Sequence, residues 1–260
     1  MSETGLPILQ EGLGRTQRRD AWWLEIVPVI VVLGGFGVYA TFRALENGFF
    51  DPRLYGFASP YLSPFYSPLI DAHHHWLPAW LSPAFLILGG PAGFRATCYY
   101  YRKAYYRAFF LDPPSCAVGD RGHKSYKGET AFPFILQNLH RYFFYLAIVF
   151  LAFLWYDVVL AFNWGGHFGI GLGTIIMLIN IICLSLYTFS CHSFRHLVGG
   201  KLDCFSCTAA SRTRHGAWKD VSALNQRHML FAWISLFSVG LTDLYIRLVC
   251  TGMIADPKFL

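Results

Sequence analysis

Long apolar runs decide what this chain can become. Five of them, at about 22–45, 77–99, 134–162, 167–197 and 222–250, are each long enough to cross a bilayer. A hydrocarbon core of roughly 30 Å takes about 20 helical residues. Composition agrees: 55% of the residues are hydrophobic and only 14% charged, against about a quarter charged in soluble domains. The fold class expected is therefore all-α, an integral membrane bundle of five transmembrane helices in one domain over 1–260. The start, MSETGLPILQEGLGRTQRRD, is polar and has no short apolar core with a small-residue cleavage site, so no signal peptide is expected. Seven cysteines, mostly near helix ends, do not resemble a secreted disulfide framework.

Local signals refine these spans. Trp22 and Trp23 suit interfacial anchors of the first. Gly89, Gly90, Pro91 and Gly93 predict a kink or a close helix contact in the second, which is expected to continue as a helix through Tyr99 to Tyr106. Gly199 and Gly200 signal the end of the fourth, and Ser222 is a candidate N-cap for the fifth.

Charge orients the bundle. Arg15, Arg18 and Arg19 precede the first span. The connection 94–138 carries Arg95, Arg102, Lys103, Arg107, Arg121, Lys124 and Lys127, and the connection 199–227 carries Lys201, Arg212, Arg214, Lys219 and Arg227. The first connection has only Arg53, and the third has no basic residue. By the positive-inside rule the N-terminus and both basic loops are cytoplasmic, in a cell inner (plasma) membrane, and the C-terminus is outside. The net charge of +6 is thus orienting charge, with no nucleic-acid partner implied. Both loops are longer than a helical hairpin needs. YYYRKAYYRAFF, from Tyr99 to Phe110, interleaves bases with aromatics, the residue types enriched at interface cores. They predict a docking platform for a soluble partner.

The stretch LSLYTFSCHSFRHLVGGKLDCFSC, Leu184 to Cys207, concentrates thiol and imidazole where an apolar run meets a basic loop. These are the ligands of zinc, haem iron and iron–sulfur centres. At about 1.5 Å per helical residue, Cys98, His140, Cys191 and His228 lie about 9–14 Å inside the cytoplasmic ends of four spans. Two cysteines and two histidines match a Rieske-type [2Fe–2S] centre, with thiolates on one iron and imidazoles on the other. The Rieske loop pattern C-x-H…C-x-x-H is absent, so helices would hold such a centre. A haem b with a bis-His pair drawn from His140, His192, His196 and His228 is the alternative. Zinc at Cys204-x-x-Cys207 is a third. Against all three stands plain packing: cysteine buries as a small hydrophobe, the reading adopted for Cys183 and Cys250, and a lone membrane histidine often only bridges helices.

The opposite face holds His73, His74 and His75, with Asp243 and Arg247 four residues apart and Asp157 on the third span. Ionisable groups at membrane depth are candidates for quinone contacts or proton paths; no quinone pocket is assigned from sequence. A metal-dependent membrane oxidase would need several histidine boxes on one face, and only His192-x3-His196 fits. A transporter would be expected to show broken paired helices.

Trp22-Trp23, Arg102-Lys103, Gln137 and the Cys191–Leu197 stretch resemble five-helix membrane anchors of respiratory complex II, succinate dehydrogenase or fumarate reductase. The similarity covers all five spans and is greatest to the single-anchor actinobacterial class. In di-haem anchors histidines on several spans hold the haems; here the first span has none. The resemblance implies a Rieske-type cluster in place of the inner haem. It also implies electron relay to quinone or menaquinone and docking of an iron–sulfur subunit and a flavoprotein subunit. No dehydrogenase activity is expected of the anchor alone.

Overall fold

A computed structural model describes residues 12–46, 60–70, 82–120, 130–132 and 134–260. Every extended apolar run within them is helical. A 3-10 turn, Trp22–Glu25, leads into α1, Val27–Leu45. Next come α2, Pro83–Thr97, and α3, Tyr99–Tyr105, which a π-turn extends to Phe110. A 3-10 segment, Phe134–Leu139, precedes α4, His140–Leu160. Then follow α5, Leu172–Phe189, α6, His192–Gly199, α7, Ala209–Asn225, and α8, His228–Cys250.

Four helical segments among the described residues are long and apolar enough to cross a membrane: Trp22–Leu45, Ile135–Leu160, Leu172–Phe189 and His228–Cys250. The expected second span is described only from Ser82 onward, and its helix of 15 residues covers about 22 Å. The expected fourth span is shorter than predicted, because its chain leaves the helix at Ser190 and restarts as α6. The expected fifth starts at His228, and Ser222 lies inside α7, where its hydroxyl donates to the Trp218 carbonyl at 2.6 Å. Ser222 is therefore no N-cap. Thr208 caps α7 instead, accepting from Ser211 N–H at 3.1 Å. Nor does α2 run on into the tyrosine stretch, since Cys98 interrupts it.

The chain divides into two compact units. One takes Met1–Thr41 and Arg95–Leu139, the other Phe42–Phe94 and His140–Leu260. In the first, Gly14 N–H bonds Gly119 O at 2.8 Å and Gly119 N–H bonds Arg15 O at 2.8 Å, tying the N-terminal segment to the loop beyond α3. Arg95 bonds the Tyr101 hydroxyl at 2.5 Å. Burial pushes that phenol up to about 12, so it stays protonated.

The second unit is an α4–α5–α8 bundle with α6 and α7 folded as a hairpin at one end. Leu151, Val158, Met177, Ile181, Ile246, Val249 and Cys250 form its core. Cys250 thus packs as expected. Val159, Ile179, Phe237 and Leu241 stay exposed, the surface a bilayer would cover. The approach of α2 to α4 depends on glycine: a Cβ at Gly93 would lie 2.2 Å from the Phe143 ring, and one at Gly90 2.5 Å from Phe150. The glycine-rich stretch of α2 therefore makes the close contact that the sequence implied.

At the bundle's other end α4 and α5 are joined by a two-residue hairpin, β1, Asn163–Trp164, and β2, His167–Phe168. Gly165 and Gly166 both take positive φ in its turn, as a type I′ turn requires. The C-terminal tail returns to this hairpin: Phe259 N–H bonds Ile170 O at 2.8 Å, and Leu172 N–H bonds Pro257 O at 2.9 Å. Asp256 accepts from Gly173 N–H at 2.9 Å, Tyr61 OH at 2.7 Å and Tyr245 OH at 2.6 Å. Burial raises the Tyr61 phenol well above its ordinary value, which keeps it a donor.

Candidate metal centre

The break between α5 and α6 makes the site. Ser190 donates its hydroxyl back to Tyr187 O at 3.1 Å, and its own carbonyl accepts from Asn225 Nδ2 at 2.7 Å. That carbonyl is engaged by a side chain from α7 at the point where α5 stops. Cys191 takes an extended conformation, φ −63° and ψ 143°, and becomes the N-cap of α6, its sulfur accepting from Ser193 N–H at 3.4 Å. The residue is buried.

Cys98 repeats this design in the other unit. With φ −65° and ψ 129° it ends α2 and precedes α3 as N-cap, and it too is buried. Each cysteine thus sits at a helix N-terminus. A depth estimate built on continuous helices does not hold for either residue.

His140, the first residue of α4, places Nε2 3.0 Å from Cys191 Sγ. His228, the first residue of α8, puts Nδ1 2.8 Å from Ser190 Oγ.

Aromatic walls back both rings. Phe94 stacks on His140 at 4.9 Å and 4°, and Tyr187 stacks on His228 at 5.1 Å and 18°. The two walls meet, Phe94 to Tyr187, at 5.4 Å. Neither residue stands out in the sequence, where aromatics make up 18% of the chain.

The predicted ligands are only partly gathered. His140 and Cys191 touch; no group of three His, Cys, Asp or Glu side chains able to hold a metal occurs among the described residues. Around one tetrahedral ion, bonds of about 2.1 Å to nitrogen and 2.3 Å to sulfur would set the two ligands about 3.6 Å apart; a Rieske-type centre, with thiolates on one iron and imidazoles on the other, would hold this pair farther apart still. The donor chemistry fits a thiolate–imidazole centre. The alternatives His192 and His196 are exposed, and His196 Nδ1 meets Arg141 Nη2 at 3.0 Å. Cys204 and Cys207 are bonded to each other, which removes the zinc half-site expected from their spacing: a disulfide offers no thiolate. At the far end of the bundle Asp243 and Arg247 pair across one turn as expected, Nε to Oδ2 at 2.8 Å. His73, His74 and His75 lie outside the described residues.

A profile described as actinobacterial succinate dehydrogenase subunit SdhC matches residues 24–252. The chain belongs to this family. It is a membrane-anchor subunit of succinate dehydrogenase. A solved structure, "Mycobacterium smegmatis Sdh1 complex in the apo form", contains a similar chain, 41% identical, with a TM-score of 0.83 over 96% of this chain and 100% of that one. Comparison with curated proteins found no match. The resemblance drawn from Trp22-Trp23, Arg102-Lys103, Gln137 and Cys191–Leu197 therefore stands.

Proposed function

We propose that this anchor relays electrons to quinone or menaquinone through a membrane-embedded Rieske-type [2Fe–2S] centre held by Cys98, Cys191, His140 and His228. The single observation that carries the proposal is the His140 Nε2–Cys191 Sγ contact of 3.0 Å, a soft-donor pair joining residues 51 apart in sequence. Bound there, such a centre supplies a one-electron relay between two-electron chemistries at either end. The chain's own residues do the rest. Ser190 bonds the His228 ring; Phe94 and Tyr187 wall the two imidazoles and shield them from water, favouring a stable potential.

In the same proposal the N-terminus and the loops 94–138 and 199–227 face the cytoplasm of a cell inner membrane crossed five times. There the loops dock the iron–sulfur and flavoprotein subunits. Support comes from the basic loops, from Arg102 lying 4.8 Å from the exposed Tyr99 ring, and from the Sdh1 complex in which the similar chain was solved. Succinate oxidation belongs to the partners, and this subunit contributes only the path to quinone.

Low-temperature EPR of the purified, reduced complex, alongside its visible spectrum, tests the centre. A signal with the low average g of mixed Cys/His ligation, lost in Cys98→Ala and Cys191→Ala, is the expected result. Soret and alpha bands without that signal would replace the cluster with haem b and release the cysteines. If neither appears, the relay is wrong and a bare anchor remains. A membrane oxidase is less well supported, because the two histidines of its one box, His192 and His196, are exposed.

A further inference from the structure

The turn between α6 and α7 holds chemistry that the anchor's work does not use. Cys204 and Cys207 form a disulfide across two residues, with Cys207 exposed and Cys204 half-buried. Cys207 immediately precedes Thr208, the N-cap of the 17-residue α7. Arg212, from the first turn of that helix, reaches back to Ser206 O at 3.0 Å, between the two cysteines. Arg214 bonds Val198 O at 3.0 Å and Gly200 O at 3.1 Å. The N-terminus of α7 and the Arg212 guanidinium at Ser206 O give the pair an electropositive setting, one that favours attack by an incoming thiolate.

The placement sharpens the point. This inference rests on the proposed orientation, which puts the turn on the cytoplasmic side. Disulfides there are seldom structural and are usually transient, catalytic or redox-sensing. The pair is also too local to constrain the fold at large, since its closed loop spans a sequence separation of 3.

We infer that Cys204 and Cys207 are a reversible dithiol–disulfide couple that responds to the thiol poise of the cytoplasm. An incoming low-molecular-weight thiolate attacks the exposed Cys207 sulfur, the S–S bond breaks, and Cys204 leaves and takes up a proton. A second thiol then attacks the mixed disulfide. It releases Cys207, which is protonated in turn. Two electrons and two protons enter the pair, and the donor is oxidised to its own disulfide. Reduction opens the turn joining α6, whose N-cap is Cys191, to α7.

The test uses the intact complex in right-side-out and inverted membrane vesicles, poised with reduced and oxidised dithiothreitol and labelled with a membrane-impermeant maleimide before and after a chaotrope releases the subunits docked on the loops. Cys116, a free exposed cysteine on the other basic loop, reports sidedness independently. The expected result is two additional labels per anchor after reduction, in inverted vesicles only. They should be lost again on reoxidation and absent from the Cys204→Ser/Cys207→Ser variant, which keeps its Cys116 label. Labelling of Cys116 from the outer face would overturn the orientation itself, and with it the reducing-compartment argument. Correct Cys116 sidedness with a bridge that excess dithiothreitol leaves closed would overturn the couple alone, making it a static staple. Two thiols already open in air-oxidised vesicles, with stoichiometric zinc, would overturn it in favour of a metal half-site.

Discussion

The helix α8 joins two polar regions built on opposite principles. At its start stand His228, Ser190, Cys191 and His140; about 22 Å along, by 1.5 Å per residue, stand Asp243 and Arg247. At the Arg247 end charges answer charges. Its Nε meets Asp243 at 2.8 Å and its Nη1 meets Glu46 at 2.6 Å, while Arg43 holds Glu46 at 2.8 Å. Ser63 donates to Asp243, and the Tyr66 hydroxyl bonds Arg43 O at 2.8 Å and Glu46 O at 2.6 Å. Arg247 and Asp243 are buried, with side chains 4% and 0% exposed. At the Cys191 end the contacts are between a thiol, two imidazoles and a hydroxyl. The first region spends its polar groups on tying the end of α1 and the turn around Ser63 to α8. The second keeps soft donors in weak bonds that a metal can displace. Depth in the membrane therefore does not distinguish the two ends; the kind of partner does.

The largest break in this contrast is expected from the ligands. His140→Ala or Cys191→Ala should eliminate the EPR signal and lower succinate–quinone activity by about 100-fold or more. Succinate oxidation with a soluble acceptor, and the amount of assembled complex, should change little. If assembly fails with the signal, the Cys191 end is structural after all.

Arg247→Met should do the reverse. Leaving Asp243 buried without its cation costs about 3–5 kcal/mol, so thermal unfolding of the detergent-solubilised complex should shift well downward while the remaining complex keeps its signal. Asp243→Leu added to Arg247→Met should recover part of the loss, since an apolar pair of similar volume avoids the unpaired charge. A lost signal at unchanged stability would erase the distinction between the two ends.

Asp256→Ala removes the acceptor of Tyr61, Tyr245 and Gly173 N–H. About 1–3 kcal/mol is expected, seen as faster proteolysis of the C-terminal tail with activity retained. Ser190→Ala should give the smallest change and the most informative one. It removes the hydroxyl bonded to His228 Nδ1, and a loss of roughly 10-fold in metal retention, with a shifted EPR line shape, would place His228 beside the centre. An unchanged spectrum would remove His228 from the ligand set.

Much of the architecture was legible in advance for a simple reason. An apolar run of 20 residues is a local property, and a bilayer leaves it few options. The one-turn spacing of Asp243 and Arg247 was equally local. The breaks at Cys98 and Cys191 were not, because one extended residue alters neither composition nor hydropathy. Gly199–Gly200 looked the stronger stop, yet it only ends α6, with Gly200 itself in an extended conformation. The disulfide was hidden by ambiguity, since Cys-x-x-Cys serves zinc and redox chemistry alike.

By itself, then, the sequence determined an all-helical membrane anchor with chemistry-bearing cysteines and histidines near helix ends. Tertiary structure alone decided that His140 reaches Cys191 rather than His192 or His196, that Ser190 and Phe94 orient the imidazoles, and that Glu46 completes the Arg247 network. Those choices depend on contacts between residues 38 to 201 positions apart. Helical periodicity says which way a side chain points from its own axis; only packing says what it meets.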